Sequence, residues 1–250
     1  FFTQKGDTIV IQQPVYHPFR NVALGNHRRV VSNDLIQNGD KYEMDLAGLE
    51  EIFKTEKPKM MVLCNPHNPV GICWDKDTLA EVARLARQYN VIVISDEIHG
   101  DLALFGNKYT PFCTVNEDAA HVSICFAAPS KTFNIPGVTS SWCVIKNPEL
   151  RKEFFEWLHV NEFSAPTWFS TVATEAAYCQ GEEWLEELIP YIEDNIKFVE
   201  EYCEKNIPGV HAVRPQASFL VWLDCTGLGL DHDALIDLFV NKAHLALNDG

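Results

Sequence analysis

The sequence lacks several features that would each indicate a class of protein. It contains no apolar run approaching the ~20 residues that a membrane-spanning helix needs, and it shows no secretory signal pattern. Basic residues are scarce, since 20 lysines and arginines stand against 35 aspartates and glutamates, for a formal net charge of -15. Because nucleic acids and anionic membrane surfaces favour basic proteins, we expect neither as a partner.

The cysteines form no C-x-x-C pair, and the sequence has no N-x-S/T acceptor for glycosylation. Several cysteines lie inside apolar runs, such as Cys64 in MMVLC and Cys125 in VSICF, where reduced core cysteines are common. We therefore predict structural thiols rather than metal ligands or disulfides. We expect the protein to be cytoplasmic.

Apolar strand-like runs alternate with helix-like segments in the first part of the chain. Residues 76–90 have an apolar stripe with helical spacing, and residues 44–54 have another, with Asp45 as the predicted N-cap. This alternation predicts an α/β fold, a three-layer α/β/α structure around a mostly parallel sheet. The predicted strands are TIVIQ (8–12), RRVVS (28–32), KMMVLC (59–64), VIVIS (91–95), VSICFA (122–127) and TSSWCVI (139–145).

The pattern changes after Asn147, where long helical segments replace the alternation. The predicted elements are helices over 148–159, 164–180, 182–206 and 231–242, and two strands over 211–224 that are broken at Pro215. The expected divisions are a large domain over 1–147, a helical linking segment over 148–206 and part of a smaller α+β domain over 207–250.

Three polar motifs each follow a predicted strand directly, at the edge where parallel sheets bind ligands. They are VLCNPHNPVG (62–71), SDEIHGD (95–101) and APSKTFNIPG (128–137). The Asn-Pro pairs of the first motif form either a rigid turn or a fixed amide donor to a ligand. Lys131, in the third, lacks the glycines of a phosphate-binding loop. Its small-residue loop favours Schiff-base chemistry over a solvated surface charge.

Together, NPHNPVG, SDEIHGD and SKTFNIPG resemble the signature set of fold-type I pyridoxal phosphate enzymes, aminotransferase class I/II. The sequence looks most like the branch of MalY/PatB-like cystathionine β-lyases, and the resemblance covers nearly the whole chain. It implies pyridoxal 5'-phosphate as the cofactor and a small-molecule amino acid as the substrate. It also implies a homodimer whose site lies at the dimer interface.

The resemblance implies a role for each of five cofactor contacts. Lys131 would form an imine with the cofactor and then move protons at the substrate's Cα. Asp96 would pair with the pyridine nitrogen and keep it protonated, and Asn68 would donate to the ring oxygen. Tyr16, in QQPVYHPF, would stack on the ring face, and Ser130 would help to anchor the phosphate.

His99 distinguishes the lyase branch within this resemblance. Aminotransferases of the class usually have a tyrosine at this position, whereas the β-lyase branch has a histidine that contacts the cofactor. A histidine that only packs and satisfies a neighbour is the plain alternative. A zinc site built from Asp96, His99 and Asp101 has no other supporting ligands, so we expect no metal.

The sequence also departs from the family pattern. Thr139 occupies the position where many members have a phosphate-binding arginine. A glycine-containing phosphate loop before Phe1 and an arginine for the substrate carboxylate after LNDG are both outside the sequence. Because the chain also begins on FFTQKG without a methionine, we expect an internal fragment of a longer protein.

Carbon–sulfur β-lysis is the expected activity, with cystathionine or a related S-substituted cysteine giving a thiol, pyruvate and ammonia. Aminotransfer by a class I/II enzyme is the alternative, and it differs in where the Cα proton returns. A third hypothesis, from another class, is a folded but non-catalytic fragment that lacks the phosphate loop and the carboxylate arginine.

Overall fold

The structure is a computed structural model, and it describes residues 1–163 and 165–249. Its strands are β1 (Thr8–Ile11), β2 (Arg29–Ser32), β3 (Ile36–Asn38), β4 (Lys41–Glu43), β5 (Met60–Cys64), β6 (Ile92–Asp96), β7 (Ser123–Ala127), β8 (Trp142–Val144), β9 (His211–Val213) and β10 (Trp222–Asp224). Its helices are α1 (His17–Gly25), α2 (Leu46–Glu56), α3 (Lys76–Tyr89), α4 (Glu117–Val122), α5 (Pro129–Thr132), α6 (Pro148–Val160), α7 (Trp168–Gln180), α8 (Glu182–Asn206) and α9 (His232–Asp237).

The central sheet has the strand order β2-β1-β5-β6-β7-β8. Its pairs are parallel except for the last, in which β8 runs antiparallel to β7. Parallel neighbours need crossover connections, and α1, α2, α3 and α4 lie in those connections. Each strand comes from one of the six apolar runs predicted as strands. The mostly parallel α/β fold is therefore confirmed.

The two faces of this sheet are covered unequally. Side chains alternate between faces along a strand, and those such as Val10 and Val93 are fully buried beneath α2, α3 and α4. On the opposite face, Val62 is only half-buried. There α1 packs beside β1 and β2, and α6 brings Phe154 edge-on to Phe126 at 5.8 Å between ring centroids. A cavity of about 590 Å³ remains on this second face.

The helices over the buried face begin at side-chain caps. Asp45 Oδ1 accepts a hydrogen bond from the Gly48 N–H at 2.9 Å, as predicted for α2. Asp75 Oδ1 accepts one from the Thr78 N–H at 2.8 Å at the start of α3. Each cap satisfies a backbone donor that has no partner inside the helix. The apolar stripe predicted for α3 is buried, at Leu79, Val82, Ala83, Leu85 and Ala86.

Helix α1 and the β3–β4 hairpin were not predicted. The hairpin turns at Gly39 and Asp40, and Gly39 has a φ of +60° that suits this turn. Its side chains are mostly exposed, so its strands lack the apolar runs that identify the others. Helix α7 begins at Trp168 instead of residue 164. Ser164, in the predicted helix over 164–180, and Gly250, in the predicted domain over 207–250, lie outside the described residues.

Residues 215–218 lie in the connection between β9 and β10, and they attach this C-terminal hairpin to loops that follow strands of the large sheet. The N–H groups of Gln216 and Ala217 both donate to the Gly71 carbonyl, at 2.7 and 3.0 Å. The Ser218 N–H donates to the Leu102 carbonyl at 2.9 Å. The hairpin is therefore attached to the two loops that follow β5 and β6. The domain boundaries given above stay a prediction.

No helix within residues 1–163 and 165–249 is long and apolar enough to cross a membrane. The longest, α8, has 25 residues, begins with two glutamates and contains Pro190.

Replacing Gly71 with alanine should destabilise the fold strongly, because this position has both a positive φ and no free space. Its φ is +69°, and an added Cβ would lie 2.3 Å from the Pro215 Cβ and 2.9 Å from the Ala217 carbonyl oxygen. We expect Gly71→Ala to lower the free energy of unfolding by about 2–4 kcal/mol, the sum of the backbone and overpacking costs. Urea denaturation measures it.

The matched control is Gly39→Ala, at a φ of +60° with nothing within 4 Å of the added Cβ. This variant should lose only the backbone contribution, about 1 kcal/mol. Equal losses in both variants would show that the contact with Pro215 adds nothing.

Candidate active site

The carboxyl ends of β5, β6 and β7 lie side by side at one edge of the sheet. In the strand register, Cys64 pairs with Asp96, and Asp96 pairs with Phe126. Each strand is followed at once by one of the three polar motifs, so their side chains converge. The Asn68 Nδ2 lies 3.5 Å from the His99 Nε2, which joins the first two motifs. The Thr132 hydroxyl donates to Asp101 Oδ2 at 2.8 Å, which joins the second and third.

Asp96 is the last residue of β6, and its side chain lines the cavity on the second face. Burial raises the pKa of its carboxyl; the N–H of Ile98, which donates to Oδ1 at 3.1 Å, opposes this shift. The charge of Glu97 raises the pKa further, whereas that of Lys131 lowers it. A cationic partner would stabilise the charged form of this carboxylate, because burial alone disfavours that form.

His99 is a neutral, buried side chain with an exposed fraction of 2%. Burial, and next to it the charge of Lys131, lowers the pKa of its imidazole to about 4. Because an amide nitrogen can only donate, the Nε2 of the neutral ring accepts from Asn68, and the proton sits on Nδ1. Among the described residues, this buried Nδ1 has no hydrogen-bond partner. Such a group is expected to find a partner when a ligand is bound.

Lys131 lies in the short helix α5, which begins at Pro129 after the extended N-cap residue Ala128. Its neighbour Thr132 is fully buried and holds the helix to the β6 loop through Asp101. The Lys131 Nζ lies 5.9 Å from the centroid of the Phe219 ring. The amine is thus held by its helix beside His99 and Asp96, whose pKa values it shifts.

Ser130 and Tyr16 have a looser relation to this cluster. Ser130 is partly exposed in the same helical turn as Lys131. Tyr16 follows β1 and is half-exposed, with its ring edge-on to Phe19 at 5.6 Å between centroids. Phe19 lines the same cavity as Asp96, so the start of α1 and the end of β6 open on one space. Thr139 is exposed in the segment before β8.

His67 was not singled out in the sequence, although it stands inside the NPHNP motif. It is buried, and burial lowers the pKa of its imidazole to about 4. Its Nε2 donates to the Pro14 carbonyl at 2.8 Å. This bond connects the loop that carries Asn68 to the loop that carries Tyr16. The motif itself was the available signal, because its histidine is a polar residue between two prolines.

Glu97 was also missed, and it organises the turn between Asp96 and His99. Its buried carboxylate accepts hydrogen bonds from the Ser95 hydroxyl at 2.8 Å, the Phe112 N–H at 2.8 Å and the Tyr109 hydroxyl. Burial, with the charge of Glu97, raises the pKa of Tyr109. These hydrogen bonds fix the backbone segment that carries Asp96 and His99.

No cluster of three or more metal-ligating side chains occurs among residues 1–163 and 165–249. Asp96, His99 and Asp101 are therefore not arranged as a zinc site in the described part of the chain. The chemistry available at this edge is that of an amine, a carboxylate, an amide and a neutral imidazole.

The fold and the site together indicate the class of protein. It is an α/β protein that presents a lysine, an aspartate and an asparagine at neighbouring ends of parallel strands. A model of the family described as aminotransferase class I and II matches residues 1–249, and the chain belongs to this family.

The relatives confirm the predicted branch of the family. The chain is 39% identical over 249 residues to cystathionine beta-lyase PatB of Bacillus subtilis (strain 168), covering 100% of the chain and 64% of PatB. It is 31% identical to protein MalY of Escherichia coli (strain K12), covering 100% of the chain and 63% of MalY. The chain therefore spans just under two thirds of the length of these relatives.

Among solved structures, the chain is similar to cystalysin from Treponema denticola, which contains a pyridoxal 5'-phosphate cofactor. The TM-score is 0.95 at 33% identity, covering 100% of this chain and 63% of cystalysin. The similarity extends over the sheet, the motif loops and the C-terminal hairpin alike.

The neutral state of His99 makes the stability of the protein depend on pH. The folded pKa is about 4, whereas the ordinary value is 6.5, so the unfolded chain binds the proton first as the pH falls. Stability should fall as the pH drops from about 6.5 toward 4. Between pH 7 and pH 5 we expect His99 to account for about 2 kcal/mol of lost unfolding free energy.

Urea denaturation of cofactor-free wild-type and His99→Gln protein at both pH values measures this difference. The variant should lose about 2 kcal/mol less than the wild type between the two pH values. His17→Gln, at an exposed histidine, is the control and should behave as the wild type. An unchanged pH dependence in His99→Gln would contradict the neutral, buried assignment.

Proposed function

We propose that the whole protein containing this chain is a pyridoxal 5'-phosphate-dependent carbon–sulfur β-lyase. Its substrate is cystathionine or a related S-substituted cysteine, and its products are a thiol, pyruvate and ammonia. The observation that carries the proposal is the convergence of Lys131, Asp96, Asn68 and His99 at one edge of the sheet. The names of the relative cystathionine beta-lyase PatB and of a pyridoxal phosphate-bound C-S lyase from Staphylococcus hominis support the same activity.

The residues present fit this cofactor. Asp96, whose pKa burial raises, is suited to pair with a protonated ring nitrogen. Asn68 has an amide beside the site that can donate to the ring oxygen, and the unpartnered Nδ1 of His99 is a second free donor. Lys131 would carry the covalent link and Ser130, in the same turn, would contact the phosphate. Tyr16 is open enough to stack on a planar ring.

When bound, the cofactor supplies an electron sink that makes the substrate's Cα proton removable. Residues of the chain carry out the proton transfer and hold the site in place. Lys131 removes the proton from Cα, and the electron pair left behind expels the thiolate from Cβ as the Cβ–S bond breaks. His99 stays neutral and holds Asn68 in place through Nε2, while Glu97 keeps Asp96 and His99 on a fixed turn.

The overall reaction balances with one water molecule. The substrate R–S–CH2–CH(NH3⁺)–COO⁻ and water give R–SH, pyruvate and ammonium. The thiolate takes up the proton that Lys131 removed, and water replaces the nitrogen at the former Cα. No oxidant or reductant is needed, and no keto acid takes part.

The same proposal covers the cellular location, the oligomeric state and the domain organisation of the protein. We place the protein in the cytoplasm as a homodimer, with a large domain over 1–147, a helical segment over 148–206 and part of a smaller domain over 207–250. Support for the homodimer comes from α7, where Trp168 and Phe169 have exposed fractions of 79% and 85%. Large apolar side chains exposed together usually mark an interaction surface.

Product analysis separates this proposal from aminotransfer. Cystathionine given to the cofactor-loaded whole protein should release pyruvate with no keto acid added, because the overall β-elimination needs only water as a co-reactant. A coupled lactate dehydrogenase assay measures the pyruvate. Release that depends strictly on a keto-acid acceptor would establish the aminotransferase alternative, and no turnover with either would support a non-catalytic protein.

The link to Lys131 is tested by reduction. Borohydride should fix the cofactor irreversibly to the wild-type chain and leave Lys131→Ala unlabelled, since an imine needs this amine. Mass spectrometry of the digested protein locates the label. Lys108→Ala, at an exposed lysine after β6, is the control and should be labelled as the wild type. Labelling of Lys131→Ala would remove this lysine from its role.

A further inference from the structure

The ring of Phe219 reaches the candidate site from the C-terminal hairpin. Its centroid lies 5.9 Å from the Lys131 Nζ. It also lies 5.6 Å from the centre of the His99 imidazole, in an edge-to-face arrangement. Its exposed fraction is 42%, so much of the ring is open to solvent. A large apolar surface is therefore available beside the amine proposed to remove the Cα proton.

The backbone before Phe219 is held rigidly. The Leu104 N–H donates to the Gln216 carbonyl at 2.8 Å, in addition to the bonds from residues 216–218 to the carbonyls of Gly71 and Leu102. Ser218 is buried and adopts a φ of +78°, which a non-glycine residue adopts only where its surroundings impose it. The direction of the ring is therefore set by the loops that follow β5 and β6.

This position is matched to the sulfur end of the proposed substrate. If Lys131 acts at Cα, the sulfur is two bonds away from the reacting atom, within reach of a neighbouring side chain. Aromatic rings make favourable contacts with thioether sulfur, and they bury apolar groups attached to it. The imidazole that packs against the ring is neutral, so the side chain of His99 adds no charge beside it.

We propose that Phe219 is a specificity-determining residue that contacts the sulfur atom and its substituent. It selects S-substituted cysteines, whose carbon atoms next to the sulfur pack against the ring, over amino acids that have no substituent at this place. The inference rests on the proposed function and adds the chemical class of the substrate's leaving group. A ring that serves only to pack against His99 is the contrary reading.

The kinetic experiment compares two substrates that share the α-carbon and differ in the leaving group. S-benzyl-L-cysteine has the aromatic thioether, and β-chloro-L-alanine eliminates chloride without any sulfur substituent. In the whole protein, Phe219→Ala should lower kcat/KM for S-benzyl-L-cysteine at least tenfold, mainly through KM, and change that for β-chloro-L-alanine less than twofold. Phe219→Leu, which keeps apolar volume, should lie between Phe219→Ala and the wild type.

A binding experiment provides a readout that does not depend on turnover. In 2-amino-5-phenylpentanoate a methylene replaces the sulfur, so elimination cannot occur. Its dissociation constant, followed by the absorbance change of the bound cofactor, should rise at least fivefold in Phe219→Ala, whereas that of L-alanine should stay within twofold. Phe105→Leu is the control, because the Phe105 ring faces Arg214, whose Cζ lies 4.9 Å from the ring centroid.

The outcomes separate the two proposals. If the wild type releases pyruvate from neither substrate, the proposed function fails, and the binding experiment still decides the role of Phe219. If the wild type is active and the Phe219 variants bind and convert both ligand classes as it does, the specificity role is wrong. Equal losses for both classes, with bound cofactor retained, would show a purely structural ring and overturn the inference in the same way.

Discussion

The parallel register of β5, β6 and β7 is the constraint on which the site depends. Because Cys64, Asp96 and Phe126 are neighbours across these strands, the residues that follow them leave the sheet at one place. Asn68, His99 and Lys131 are far apart in the sequence, yet their loops have only one edge on which to meet. A slip of one residue in β6 would turn Asp96 from the cavity face to the buried face. The apolar side chains of β6 that pack under α2 and α3 prevent that slip, because the slip would move them to the cavity face of the sheet.

Burial then sets the charges within this cluster. Lys131 is the cation that the described residues place among Asp96 and His99, and it shifts the pKa of both in the direction that favours an unprotonated neighbour. Desolvation contributes more than this charge to both shifts, and it acts in opposite directions on an acid and a base. The imidazole is thereby kept neutral as an acceptor for Asn68. The carboxyl group is left in need of a cation, which a protonated ring nitrogen would supply.

Much of the fold and part of the site could be predicted from the sequence. The strands β1, β5, β6 and β7 are largely buried and are therefore visible as apolar runs, whereas β3 and β4 are exposed, polar and carry no such signal. Asp96 could be found because it directly follows such a run, and Lys131 because it lies four residues after another. The contacts of His67 with Pro14 and of Phe219 with Lys131 could not. They join segments that are far apart in the chain, and nothing in the local pattern of either segment specifies its partner.

The carbonyl of Gly71 has a mechanical consequence. This one oxygen accepts two N–H groups from the C-terminal hairpin, and it lies three residues from Asn68 and at the end of the same loop. A displacement of the hairpin that keeps these two bonds would move the Gly71 peptide group, and Pro69 restricts the backbone between Gly71 and Asn68. The amide of Asn68 would then feel the position of the hairpin directly, without deformation of the sheet. The Gly71 peptide group thus links the C-terminal hairpin to the loop that carries Asn68.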